Sequence, residues 1–532
     1  MSGRNVLRVL VLLIALAVLG WQHFHSGKAG HAAPAEPVVS ASVVASAGSA
    51  VASPNPVAPP RTWTLGTMIL RSCELQRRNS GASTAAWCGT LDVPENRAAP
   101  GGRKISLNLA VVRSDAAVAQ SDMVVMLAGG PGQAATRDFA DTSWYAGLLK
   151  HHNVLLLDQR GTGKSHPLDC SMVEKALKKE APAAVAMDPA RIRRNVTDCL
   201  AEVKQSADPR FYTTTDAVAD LEAVRQALGS PEFDLIGVSY GTRMAQQYLA
   251  QQPDAVRSVV LDSPVPNPLV LGEDFAANLE AALKLDFADC IKASECHKRF
   301  GNPMQTLMQL RDALRANPHE VSFRDPRSYN TVKRKLSEQS LAGVVRLFAY
   351  APESAALLPL SIDAAAHGDV GPLLGQSELL SGDLGGDMNS GMAMSVICSE
   401  DADQLQPRPQ DKDTILGNSL IEAIQAQCAV WPHGRMPEDF HKPLKSDKPV
   451  LILSGARDPV TPPKYGEQIM VGLGNARHLV LKGQGHAVGT RGCVPRLVGQ
   501  FIDKLQPKSL DASCLDRLGP TPPFIDFNGA TP

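Results

Sequence analysis

The hydrophobic pattern changes period several times along the chain, and each change marks an element. ISLNLAVVRS, from Ile105 to Ser114, alternates apolar and polar positions as a half-buried strand does. MVVMLA (Met123 to Ala128) and VLLLD (Val154 to Asp158) are short unbroken apolar runs, the pattern of strands covered on both faces of a parallel sheet. TTTDAVADLEAVRQALG (Thr213 to Gly229) opens on Thr and Asp, holds a helical apolar period and stops at Gly, which predicts a capped helix. FDLIGVSYG leads into another helix, and RSVVLDSP is one more buried strand. Strands alternating with helices predict an α/β fold, a mostly parallel sheet flanked by helices. From about Asn267 to Lys445 the strand periods disappear. MQTLMQLRDALRA, SLAGVVRLFAY and DTILGNSLIEAIQAQCAV all carry helical spacing. The α/β rhythm returns in KPVLILSGARD, ARHLVLKGQGH and a closing helix, CVPRLVGQFIDKL. The expected layout is an α/β core in two parts, 61–266 and 446–520, with a large helical cap inserted at 267–445 and a tail at 521–532.

The head of the chain has a different character. Arg4 and Arg8 precede the apolar run VLVLLIALAVLGW, from Val9 to Trp21. A positive start before such a run is the secretory pattern, and the run is shorter than the roughly 20 residues a spanning helix needs. Ala33-Pro34-Ala35, the nearest small-x-small site, lies well downstream, so 1–33 reads as a signal peptide or a retained anchor. The expectation is an exported protein, periplasmic or secreted, touching the membrane only if the anchor is kept. Residues 34–60 form an Ala/Ser/Pro-rich linker. Ten cysteines suit an oxidising compartment. They fall in near-neighbour couples: Cys73 and Cys88, Cys170 and Cys199, Cys290 and Cys296, Cys398 and Cys428, Cys493 and Cys514. That pairing is one of many connectivities ten thiols allow. A net charge of -1 gives no sign of nucleic acid as a partner, and none is expected. No CxxC or HExxH occurs, so no metal site has spacing to support it.

DQRGTGKSHP, from Asp158 to Pro167, resembles the end of a phosphate-binding loop. Such a loop needs G-x-x-x-x-G-K-[ST], and the position of its first glycine holds Asp158. GVSYG, Gly237 to Gly241, is the stronger signal, a G-x-S-x-G between a predicted strand and helix. The glycines permit a cramped turn that projects Ser239 as a nucleophile at the carboxyl edge of the sheet. A serine hydroxyl needs a base, and in this context an acid and then a histidine follow in chain order. LILSGARDPVTPP places Asp458 beyond one strand end, and GQGHAV places His486 beyond the next. An oxyanion needs two N–H donors. AGGPGQ (Ala128 to Gln133) supplies Gly130 as one, with Gly129 its rival, and the backbone of Tyr240 as the other. Acyl transfer by such a set requires neither metal nor organic cofactor.

AGGPGQ, LLLDQRGTGKS, GVSYGTRMAQQYL, VVLDSPV, LSGARDPVTPP and GQGH in this order closely resemble the proline iminopeptidase and tripeptidyl-aminopeptidase-like branch of the α/β-hydrolases, over roughly Cys73 to Cys514. The resemblance implies an α/β-hydrolase fold, a triad of Ser239, Asp458 and His486, and a helical cap over the site. Its D-x-R-G-x-G-x-S stretch is matched by DQRGTGKS, which makes Asp158 and Arg160 holders of nearby loops and leaves Lys164 no phosphate. Proline iminopeptidases usually carry His before GGPG; Ala128 stands there instead, which points towards the tripeptidyl group. The implied activity is an aminopeptidase on peptides with a free amino terminus, releasing short N-terminal peptides or single residues. An esterase or lipase with the same triad is the alternative. In ICSEDAD, Glu400 and Asp401 are the cap acids expected to meet the substrate's ammonium group.

Overall fold

A computed structural model describes residues 61–76, 83–170, 188–385 and 388–530. The predicted signal or anchor and the linker lie outside the described residues. One ten-stranded sheet organises the core. Its antiparallel end is built from β1 (Thr62–Leu65), β2 (Met68–Gln76), β3 (Ser83–Pro94) and β4 (Lys104–Val112). The parallel part holds β5 (Met123–Leu127), β6 (Asn153–Leu157), β7 (Phe233–Val238), β8 (Val256–Asp262), β11 (Val450–Gly455) and β12 (Ala476–Leu481). The order is β1-β2-β3-β4-β6-β5-β7-β8-β11-β12. Strands β5, β6, β7 and β11 are buried at every residue, as their unbroken Val/Leu/Ile runs require when helices cover both faces.

The helices named below are α1 (Thr214–Leu228), α2 (Tyr240–Gln251), α3 (Phe275–Lys292), α4 (Pro303–Ala316), α5 (Glu338–Phe348), α6 (Ser390–Glu400), α7 (Ser419–Cys428) and α8 (Val494–Lys504). Helix α1 has the ends its sequence predicts. Thr213 Oγ1 accepts from the Asp216 amide, Asp216 answers with its carboxylate, and Gly229 ends the helix at φ 69°. Helices α1 and α2 pack Val218, Leu221, Met244 and Tyr248 on one face of the sheet. Helix α8 packs Leu497, Val498 and Phe501 on the other.

The cap is built around two apolar clusters. One joins α6 and α7 to the core through Met392, Val396, Ile421, Trp431 and Tyr240. The other gathers α3, α4 and α5 around Leu279, Leu307 and Phe348. The cap is not free of strands, as its periodicity suggested. HEVSFR and TVKRKL pair as an antiparallel hairpin, β9 (His319–Arg324) with β10 (Thr331–Leu336). Charged residues at its outward positions blurred the alternation. The helix expected across DTILGNSLIEAIQAQCAV begins only at Ser419, because Gly417 takes φ 56° and breaks the run. All five predicted cysteine couples are bonded.

Candidate active site

Ser239 follows β7 directly and caps α2 with φ 54° and ψ -122°, a conformation side chains rarely adopt. Its flanking glycines are there because backbone passes too close for anything larger. A Cβ on Gly241 would stand 2.2 Å from Leu127 O, and one on Gly237 would stand 2.5 Å from Gly241 O. Two bonds fix the turn: the Ser239 amide donates to Asp262 O (2.9 Å), and Thr242 Oγ1 donates to Ser239 O (2.6 Å). Ser239 stays partly exposed.

The structure brings Asp458 and His486 together. Asp458 Oδ2 lies 2.8 Å from His486 Nδ1. Its other oxygen accepts from the amides of Val460 and Thr461, both at 2.8 Å. Thr461 Oγ1 donates to Asp458 Oδ2 (2.8 Å) and lies 3.2 Å from His486 Nδ1. Burial would raise the pKa of Asp458, but the charge and hydrogen bond of His486 outweigh it and hold the carboxyl below its ordinary value. Burial would likewise lower the pKa of His486, and Asp458 outweighs it, holding the imidazole above its ordinary 6.5. His486 makes no hydrogen bond to Ser239 here, the loose arrangement common in substrate-free sites.

A second buried carboxylate ties the histidine loop to the serine turn. Asp262, at the end of β8, accepts from the amides of Val488 (2.9 Å) and Gly489 (2.7 Å). Ser263 Oγ accepts from the Ala487 amide at 2.8 Å. Burial pushes Asp262 up to about 6. From the cap, Tyr350 O accepts the His486 amide at 2.8 Å, and the Tyr350 ring meets the imidazole edge-on, centroids 5.3 Å apart. Gly485 allows this approach, since a Cβ there would stand 2.3 Å from Tyr350 O. Sequence reasoning did not single out Thr461, Asp262 or Tyr350. A signal existed for two of them: Thr461 lies one turn beyond Asp458, and Asp262 stands at a strand end, as Asp458 stands just beyond one. Tyr350 lies in the cap, and nothing local announces it.

The glycine loop after β5 runs beside the nucleophile. A Cβ on Gly129 would stand 3.3 Å from Ser239 Cβ and 2.7 Å from Gln133 Oε1. Gly130 has φ 105°. Tyr240 opens α2, where an amide has no partner within the helix. Its side chain turns away into the core, its hydroxyl 2.7 Å from Thr214 Oγ1.

Glu400 and Asp401 do not open onto a cleft as the sequence suggested. Neither side chain has accessible surface, and both pair with the equally buried Arg243. Arg243 Nη1 lies 2.7 Å from Asp401 Oδ2 and 3.5 Å from Glu400 Oε2, while Glu400 Oε1 accepts from the Thr214 amide at 2.7 Å. A guanidinium already fills the place given to the substrate's ammonium. Burial raises Glu400 to about 7, against the pull of Arg243.

DQRGTGKS is a loop fastener. Asp158 accepts from the Thr136 amide (2.9 Å), Asn108 Nδ2 (2.9 Å) and the Lys164 amide (3.1 Å). Arg160 forks onto Asp220, both bonds 2.6 Å. At the amino ends of the central strands β5, β6 and β7, Asp122, His152 and Asp234 stand close enough to share a cation. Arg257 already stands among them, 3.5 Å from Asp122 and 3.4 Å from Asp234.

Residues 122–489 match the family described as alpha/beta hydrolase fold. The tripeptidyl aminopeptidase of Streptomyces lividans is 24% identical over 481 residues, 82% of this chain and 84% of that one. That of Streptomyces coelicolor is 26% identical over 417 residues, 70% and 72%. A solved structure of proline iminopeptidase from Mycobacterium smegmatis covers 78% of this chain and 98% of its own, with 14% identity and a TM-score of 0.39.

Proposed function

The chain belongs to the α/β-hydrolase family, and from that premise we propose that it is an exported serine aminopeptidase releasing short N-terminal peptides or single residues. The observation that carries the reading is the Asp458–His486 pair, 2.8 Å apart, behind a serine held on a strained strand-to-helix turn. His486 takes the Ser239 proton as the serine oxygen bonds to the scissile carbonyl carbon. Asp458 fixes the tautomer and offsets the imidazolium charge. The amides of Tyr240 and of Gly130, or its neighbour Gly129, hold the oxyanion. On collapse the C–N bond breaks and the leaving amine takes the proton from His486. Water, deprotonated in turn by His486, then hydrolyses the acyl-serine ester.

The peptidase side of the reading rests on the likeness, over most of both chains, to the Streptomyces tripeptidyl aminopeptidases. No residue is assigned to the substrate's ammonium group, because Arg243 neutralises both acids first given that task. The test is hydrolysis of one-, two- and three-residue chromogenic amides, free and N-acetylated, beside a short-chain ester, with Ser239→Ala as control. Cleavage of the free amides alone, lost in Ser239→Ala, is expected, and the best length names the unit released. Turnover of the ester alone would leave an esterase.

A further inference from the structure

Arg346, on α5 of the cap, is a cation the proposed chemistry leaves without a task. Its guanidinium lies over two aromatic rings, 4.7 Å from the Phe275 centroid and 5.8 Å from that of Tyr350. Tyr350 is the residue whose ring and carbonyl contact His486. Arg346 Nε is buried and has no hydrogen-bond partner. Among the described residues no carboxylate lies within ion-pair distance of Arg346. The acids beside its ring partners are engaged elsewhere: Asp274 by Arg408 and Lys464, and Glu353 by Arg491. Every other arginine singled out around the site is matched, Arg243 by Asp401 and Arg457 by Asp286 and Asp289.

A partly buried guanidinium is ordinarily matched by a carboxylate, because desolvating a charge without a partner is costly. The rings orient Arg346 but supply no counter-charge. The place beside it is defined by the chemistry of His486. The leaving amine takes its proton from His486, so the leaving group lies against the imidazole; the Tyr350 ring meets that imidazole, and Arg346 lies over the Tyr350 ring.

We propose that Arg346 forms a carboxylate subsite on the leaving-group side of the cleft, preferring substrates whose departing amine carries a free carboxylate close to the scissile bond. A short peptide losing its C-terminal residue as the leaving group has that chemistry, as does one with Asp or Glu just after the cut. The pairing also bears on the reaction step. Arg346 opposes charge on His486, and a carboxylate laid on the guanidinium removes that opposition as the imidazolium forms. The subsite rests on the acyl-transfer reading above, and it makes the enzyme a scavenger of short peptide ends.

The test compares alanine di-, tri- and tetrapeptides, each as free acid and as C-terminal amide, using the wild-type enzyme, Arg346→Met and Arg346→Lys. For the length whose leaving group is a single residue, the acid should exceed the amide in kcat/KM by roughly ten-fold or more, about 1.4 kcal/mol. That ratio should fall to near one in Arg346→Met and be partly kept in Arg346→Lys. Equal rates for acid and amide in the wild type, or a ratio untouched by Arg346→Met, would overturn the proposal. If Arg346→Met does not fold, judged by circular dichroism, Arg346→Gln against Arg346→Lys reads the same ratio. Failure of the peptidase reading shows separately, as no cleavage of any peptide beside turnover of esters. Acetate esters of lactate and of lactamide, whose alcohols carry and lack a carboxylate, then test Arg346 on that enzyme.

Discussion

His486 shows how two opposed effects are settled at a single side chain. Burial favours the neutral ring, and the Asp458 charge favours the cation and wins, leaving the pKa above 6.5. A base must be unprotonated to act, so a raised pKa moves the working range upward. The acidic limb of kcat/KM should therefore lie above pH 6.5 in the wild type. In Asp458→Asn the main raising influence is gone, while burial and Arg346, which lower the pKa, remain beside the smaller raising pull of Asp262. Its residual activity, lower by several orders of magnitude, should show a limb displaced to lower pH. A limb at the same pH in both proteins would mean that another group controls the profile. The residues of this relay were legible where local rules constrain them. Gly237, Ser239 and Gly241 announce a turn that admits nothing larger, and Asp458 and His486 follow closely on strand ends. Arg346 and Tyr350 were not, because they lie in and just after a cap helix whose spacing speaks only of its own packing. Glu400 and Asp401 misled for a related reason: an acidic run reads as exposed until the buried Arg243 that neutralises it is known.

At the scale of elements, Arg243 is the bolt between α2 and the end of α6. It follows the nucleophile by one helical turn, and its guanidinium receives Asp401 and Glu400 from the cap, all three side chains without accessible surface. Breaking a buried ionic cluster by deleting one partner typically costs about 3–5 kcal/mol, because the charges left behind are unpaired. Arg243→Met strands two carboxylates and should lose stability of that order in a denaturant titration. Glu400→Gln keeps an acceptor for the Thr214 amide and removes a carboxyl already raised to about 7. It should unfold close to the wild-type midpoint at neutral pH. Equal losses in the two variants would show that the cluster acts by packing rather than by charge. The sheet that carries α2 was readable because Val and Leu runs fully covered by helices have no polar positions to confuse the period. The cap hairpin was missed for the opposite reason. Its strands are half in water, and Lys, Arg and Glu occupy the outward positions at which a strand and a charged loop look alike.

Across the whole molecule, the bonded cysteine couples restrain separate regions. Cys73–Cys88 closes the antiparallel end of the sheet, and Cys398–Cys428 links α6 to α7. Cys493–Cys514 pins the start of α8 to the C-terminal segment. The closed loops are short, with sequence separations from 6 to 30. A loop of about 15 residues removes roughly 3 kcal/mol of chain entropy from the unfolded state, and losses of about 2–4 kcal/mol per bond are typical. Net stabilities of about 5–15 kcal/mol leave little margin against the loss of several such bonds together. Of the five, Cys398–Cys428 bears most directly on the site, because Glu400 and Asp401 follow Cys398 by two and three residues. Replacing Cys398 and Cys428 together by serine should lower the unfolding free energy by about 3 kcal/mol. It should also loosen the cap against α2, so that activity is lost at a lower denaturant concentration than the fluorescence of the core. Reduction of all five bonds should bring the protein to or past its unfolding midpoint at growth temperature. Such dependence is the behaviour of a protein built for an oxidising compartment. Full activity and an unchanged midpoint after complete reduction would separate these bonds from stability and leave the proposed export without its strongest physical support.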